Sequence, residues 1–179
     1  GVAVDSLSVA MERQGSSIRL ESLEAGLGGG RVTGGSASAP DRRSGVPAGE
    51  SRFEITGVDL GQLRPLLERF DPRLGRGLDG TLSGSVRLRW AGTGNLLPER
   101  ISLEGSVRVA DGSLRGLPLQ EELLRRTEME RLEVLSFDLL QAEFRRDDGV
   151  LQLDRLRLDA PPLRIEGAGW LGDGDSLRL

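Results

Sequence analysis

The sequence predicts a mainly β fold, a meander of antiparallel hairpins with two short helices. Three observations predict it. First, Ile101–Val109 and Leu163–Leu171 alternate apolar and polar residues almost without error. Ile101, Leu103, Val107 and Val109 fall on one face with Gly105 among them, while Ser102, Glu104, Ser106 and Arg108 fall on the other. A period of two sustained over that length marks a strand with one dry face and one wet face. Second, Leu82–Leu88 (LSGSVRL) matches Leu103–Val109 (LEGSVRV) type for type, a repeat at 21 residues. Third, Asp-Gly pairs recur at 79–80, 111–112, 148–149 and 173–174, each beside an alternating run. Asp-Gly supplies the positive φ angles of tight hairpin turns, so each pair is expected to be a turn.

The elements follow in order. Val2 and Val4 share one phase and Leu7, Val9 and Met11 the other, which places a bulge near Asp5-Ser6. Ile18 and Leu20 alternate with Arg19 and Glu21, then come Leu23, Ala25 and Leu27, the run Gly28–Gly30, and a polar strand around 31–38. Residues 39–50 carry turn chemistry without periodicity and read as a mobile loop. Phe53 and Ile55 begin a strand that Gly57 should end. Leu60, Leu63, Leu66, Leu67 and Phe70 then take helical spacing behind a capping pair, Asp59 and Gln62. Pro65 should break a continuous helix and stand in the first turn of its second part, and Asp71-Pro72 should end it.

Beyond the helix, Leu82, Val86, Leu88 and Trp90 form a strand with Gly84 in its dry phase. Residues 118–127 read as the second helix, with proline first, acids early and arginine late. Leu140, Ala142 and Phe144 form the next dry face, followed by Leu151 and Leu153. A phase change at Asp154-Arg155 moves the register to Leu156 and Leu158, the sign of a bulge. Pro161-Pro162 separates that strand from the last long one. Eleven or twelve strands of ordinary length are expected in all.

Composition bounds the function. The 179 residues fit one structural unit, read as 1–56 (N-terminal hairpins) and 57–179 (the remainder), cut from a longer protein. A net charge of −4 argues against nucleic acid and against an anionic membrane surface. Every basic residue is arginine, and histidine, cysteine and tyrosine are absent as well. The usual nucleophile, general-base and Schiff-base arrangements therefore have no members, and neither an enzyme nor a cofactor is expected. The carboxylate pairs Glu121-Glu122 and Asp147-Asp148 read as solvated helix-end and turn charges. Asp173-Gly-Asp175 lacks the further acidic ligands of a calcium loop.

The dry face is the informative constellation. Gly84, Gly105, Gly167 and Gly169 all lie in the apolar phase, where glycine gives no core volume. They let a sheet curve strongly, or they clear space for a ligand chain, and the two readings hold together. Two short helices cannot cover so much apolar sheet. Either the sheet closes on itself as a sandwich or barrel, or its dry face lines a groove. Periodicity alone does not choose.

Several stretches in order resemble the AsmA-like family of bacterial envelope proteins. They are LEAGLGGGRVTG (23–34), ITGVDLGQLRPL (55–66), GTLSG (80–84) and LEGSVRVADGSLRGLPL (103–119). FDLLQAEF (137–144), GVL (149–151) and IEGAG (165–169) continue the pattern to the end. The membrane-anchoring N-terminal helix usual in that family is missing, and Gly28 stands where the family often has a bulky aromatic. The resemblance implies an elongated, curved, open β-groove in the periplasm of a diderm bacterium, similar to bridge-like lipid transfer proteins. It implies a phospholipid or other acyl-lipid partner, transport between inner and outer membranes, and a role in outer-membrane homeostasis.

An acyl chain gains about 0.8 kcal/mol per buried CH₂ in such a trough. Its expected lining is Val86, Leu88, Leu103, Val107, Val109, Leu140, Phe144, Leu151, Leu153, Leu163 and Ile165, each of which would serve equally as plain core. The alternative function is a structural β-domain that docks other envelope proteins through its sheet edges, with a closed core and no lipid.

Overall fold

The alternating segments pair with one another in the order in which they occur. A computed structural model describes residues 4–14, 17–40, 47–70, 72–91, 101–116, 134–147, 150–171 and 177–178. The elements are β1 (Val4–Gln14), β2 (Ser17–Leu27), β3 (Gly30–Pro40), β4 (Pro47–Asp59), α1 (Leu60–Phe70) and α2 (Pro72–Gly77). They continue with β5 (Leu78–Ala91), β6 (Ile101–Leu114), β7 (Leu135–Asp147), β8 (Val150–Ala160), β9 (Leu163–Leu171) and the two-residue β10 (Leu177–Arg178). Every strand is antiparallel to its neighbours. The ten strands form one sheet in sequence order, with β1 and β10 as its edges, so the sheet is open and not closed into a barrel.

The repeat has a structural meaning. β5 and β6 pair so that Leu82 meets Val109, Gly84 meets Val107, Val86 meets Gly105 and Leu88 meets Leu103. The two copies face each other over their whole length, and each glycine stands opposite a valine of the other copy. Tight turns fall where glycine allows them. Gly28 and Gly29, at φ +57° and +72°, join β2 to β3 in a two-residue hairpin. The bulge expected near Asp5 lies between Val4 and Ser6. The one expected at Asp154-Arg155 shifts the pairing of β8 with both neighbours.

Several expectations need correction. Asp79-Gly80 and Asp111-Gly112 are not turns. They oppose each other inside the β5–β6 ladder, where two residues of β6 stand against Gly80 and Asp111 takes φ 51°. The same positive φ that suits a turn also suits a bulge. Asp148-Gly149 separates Asp147 from Val150, which are paired, and Asp173-Gly174 lies outside the described residues.

The loop read at 39–50 is shorter, because Ala39 pairs with Ala48 and Pro40 with Pro47. Gly57 does not end β4. It sits at φ +65° in a register shift between Ile55 and Val58, its N–H donating to Ser83 Oγ at 3.0 Å, and the strand runs on to Asp59. The helix expected at 118–127 falls outside the described residues.

Helix α1 is continuous through Pro65. Proline there removes the bond to the Gly61 carbonyl, and burial of Leu60 and Leu63 on the sheet offsets the loss. Asp59 caps the helix, its Oδ1 accepting the Gly61 N–H at 2.8 Å. Arg64 reaches Asp79 of β5 at 3.0 Å. Pro72 opens α2, a six-residue helix that the spacing of residues does not predict. The core lies beneath α1 at one end of the apolar face: Val58, Leu60, Leu63, Val109, Leu114, Leu135, Phe137, Leu158 and Ala160.

Candidate functional site

Strand alternation and register together decide which side chains share a surface. Reading across the ladder, Leu23, Gly34, Phe53, Val86, Gly105, Phe144, Leu153 and Gly169 stand side by side on β2 to β9. The next row is Leu7, Ala25, Val32, Ile55, Gly84, Val107, Ala142, Leu156 and Gly167, from β1 to β9. A third row, Val58, Leu82, Val109, Leu140, Leu158 and Ile165, runs through the buried core and the residues packed on it. On the opposite side, a fourth holds Leu88, Leu103, Arg146, Leu151 and Leu171. Leu163 pairs with Ala160.

All eleven lining residues and all four glycines named above therefore occur on one face. They do not share one environment. Val109 is 2% exposed and belongs to the core, and Leu140 and Ile165 pack against it. The remaining eight, including Val86, Leu103, Val107 and Leu153, are half-buried. At the β1 edge the face is bare: Leu7 is 65% exposed and Met11 72%.

Register also gives glycine a role that sequence reasoning missed. Each of four glycines lies directly across from an aromatic residue: Gly34 from Phe53, Gly49 from Trp90, Gly105 from Phe144 and Gly112 from Phe137. A Cβ on Gly34 would stand 2.6 Å from Phe53 Cδ1, and one on Gly105 would stand 3.2 Å from Phe144 Cζ. The rings use the space that a missing side chain leaves, an arrangement that restores packing at a weak strand position. Gly84 has no ring across from it: a Cβ there would meet the Ser106 carbonyl and Val107 Cα, just as one on Gly105 would also meet the Ser85 carbonyl. No signal along the chain reveals these pairs, because each partner lies on a different strand.

The opposite face is an ion-pair lattice. Arg87 Nη1 lies 2.6 Å from Glu104, Arg52 Nε 2.7 Å and Arg89 Nε 3.1 Å from Glu50. Hydrogen bonds from Arg52 and then Arg89 hold the Glu50 carboxyl below its ordinary range. Arg157, then Arg164, do the same for Asp159. A polar hollow of about 640 Å³ opens on this side, between Arg52, Ser85, Arg87, Ser106 and Arg145. Three of its acids are paired with arginine, Glu104 with Arg87, Glu143 with Arg155 at 3.3 Å and Asp154 with Arg145 at 3.2 Å. Arg87 Nε is buried without a hydrogen-bond partner, 3.6 Å from Glu50.

What defines the molecule is an open antiparallel meander with one apolar and one ion-paired face. No family model, curated protein or solved structure matches the chain.

Proposed function

We propose that this chain is a segment of an AsmA-like envelope protein that holds or conducts the acyl chains of lipids on its apolar face. The supporting observation is the continuity of that face from β1 to β9 on a sheet that stays open. A hydrocarbon chain needs no directional contact there, since transfer out of water supplies the attraction. The setting this reading implies is the periplasm of a diderm bacterium, between its two membranes. The chemistry does not depend on an enzyme site. Native mass spectrometry of the chain purified from a bacterial envelope tests it, together with photoreactive residues at Val107 and Leu153. Copurified phospholipid and lipid adducts at both positions are expected; a clean apo mass without adducts would overturn the reading.

One observation favours a second reading, a structural domain that docks another envelope protein. β1 is an edge strand, and Val4, Leu7, Val9 and Met11 are 45–72% exposed along it. An edge with free backbone groups and apolar side chains suits strand addition. Adducts to protein at Leu7, with none to lipid at Val107, would select this reading over the first.

A further inference from the structure

On β7 the apolar phase runs Leu140, Ala142, Phe144 and then Arg146. Arg146 stands between Leu103 of β6 and Leu151 of β8, half-buried, in the fourth row described above. Its neighbour Arg145 points to the other face and pairs with Asp154 at 3.2 Å. Among the described residues Arg146 has no ion pair or hydrogen bond, although most other arginines of the sheet have a carboxylate. A guanidinium in an apolar row strengthens any anion that reaches it, because water screens it less there and the fork matches carboxylate and phosphate oxygens.

We infer that Arg146 is the headgroup contact for an anionic amphiphile, a lipid with a carboxylate or phosphate, whose acyl chain lies along the apolar face toward α1. This rests on the acyl-chain reading above and adds the ligand's charge and orientation. The dimensions agree. From Arg146 to the buried Ala142 the strand covers ~13 Å at ~3.3 Å per residue, and one leaflet's chain spans ~15 Å, half the hydrocarbon core. The tail then ends against Ala142 and Leu156, which are buried, so the face is open at the charged end and closed at the other. A simple snorkelling arginine would have the same position without the ligand.

The test measures binding of three fluorescent probes below their aggregation concentrations: a long-chain fatty acid, its methyl ester and a diacyl phosphatidic acid. The whole chain is compared with Arg146→Gln and Arg146→Lys, each checked for folding by circular dichroism. The wild-type chain is expected to bind at least one anionic probe about tenfold tighter than the ester. Whichever anion binds tighter identifies the headgroup. Arg146→Gln should erase the gap without changing the ester, and Arg146→Lys should keep most of it. Acid, phosphatidic acid and ester binding alike, or a gap that survives Arg146→Gln, would overturn the assignment of Arg146 and leave the acyl-chain reading standing. Failure of all three probes would overturn both.

Discussion

The two ends of the apolar face carry the same alternation and meet different fates. Under α1, Val58, Val109 and Leu158 are 0–2% exposed. On β1, in the same phase of the same sheet, Leu7 and Met11 are 65% and 72% exposed. The difference does not lie in the strands. Among the described elements, a helix started by the Asp59 cap adds Leu60 and Leu63 to the buried cluster at one end, with Leu67 packed against it. Alternation decides which side of a strand is dry, and a separate element decides whether that side becomes core or surface.

Truncation should separate the two ends most sharply. Leu158→Ala removes packed volume from the covered end and should cost about 2–5 kcal/mol in urea unfolding. Leu7→Ala, on the bare end, should stay within about 0.5 kcal/mol. Equal losses would mean that β1 is covered in solution and the contrast is false.

Next in size is the glycine–aromatic packing between those ends. Gly105→Ala would press a methyl group against Phe144 and the Ser85 carbonyl, at a cost of about 1–3 kcal/mol. A neutral Gly105→Ala would show that the ring and backbone move aside freely, and that the glycine is there for curvature or ligand space.

The smallest effect belongs to the ion-paired face. Glu50 and Asp159 have folded pKa values below their ordinary 4.5 and 3.8. The folded state therefore binds fewer protons there than the unfolded chain. Their stabilisation is complete above those ordinary values and is lost as pH falls through the lowered ones. The Tm difference between wild type and Glu50→Gln or Asp159→Asn should hold at neutral pH and shrink between ~pH 5 and ~pH 2. A difference that grows on acidification would reverse the sign argued here. Added salt should reduce it as well, since Arg52, Arg89 and Arg164 in these pairs are largely exposed.

Much of the fold was legible because period two is a local signal. The dry phase of each strand, the bulges near Asp5 and Asp154, the Asp59 cap and the 60–70 helix all follow from neighbouring residues. What failed were signals with two physical solutions. Asp-Gly serves a bulge as well as a turn, so the pairs at 79–80 and 111–112 misled. Gly57 bends a strand as readily as it ends one. Proline at position 65 was judged by the bond it removes, without the burial that offsets it. The candidate surface was legible as a set of residues and not as an environment. Nothing local distinguishes Val109, which is core, from Val107, half-buried two residues away. Arg146 is not legible along the chain, because a lone arginine in an apolar phase gains meaning only beside Leu103 and Leu151, which register supplies.

The chain contains no cysteine, so single labels can compare the two faces directly. An environment-sensitive fluorophore on Val107→Cys reports the apolar face, and one on Arg108→Cys, the adjacent residue, reports the other. On adding a long-chain phospholipid, the account predicts a blue shift at position 107 and none at 108. Equal responses at the two positions, or no response at 107, would contradict the claim that this face is the one hydrocarbon occupies.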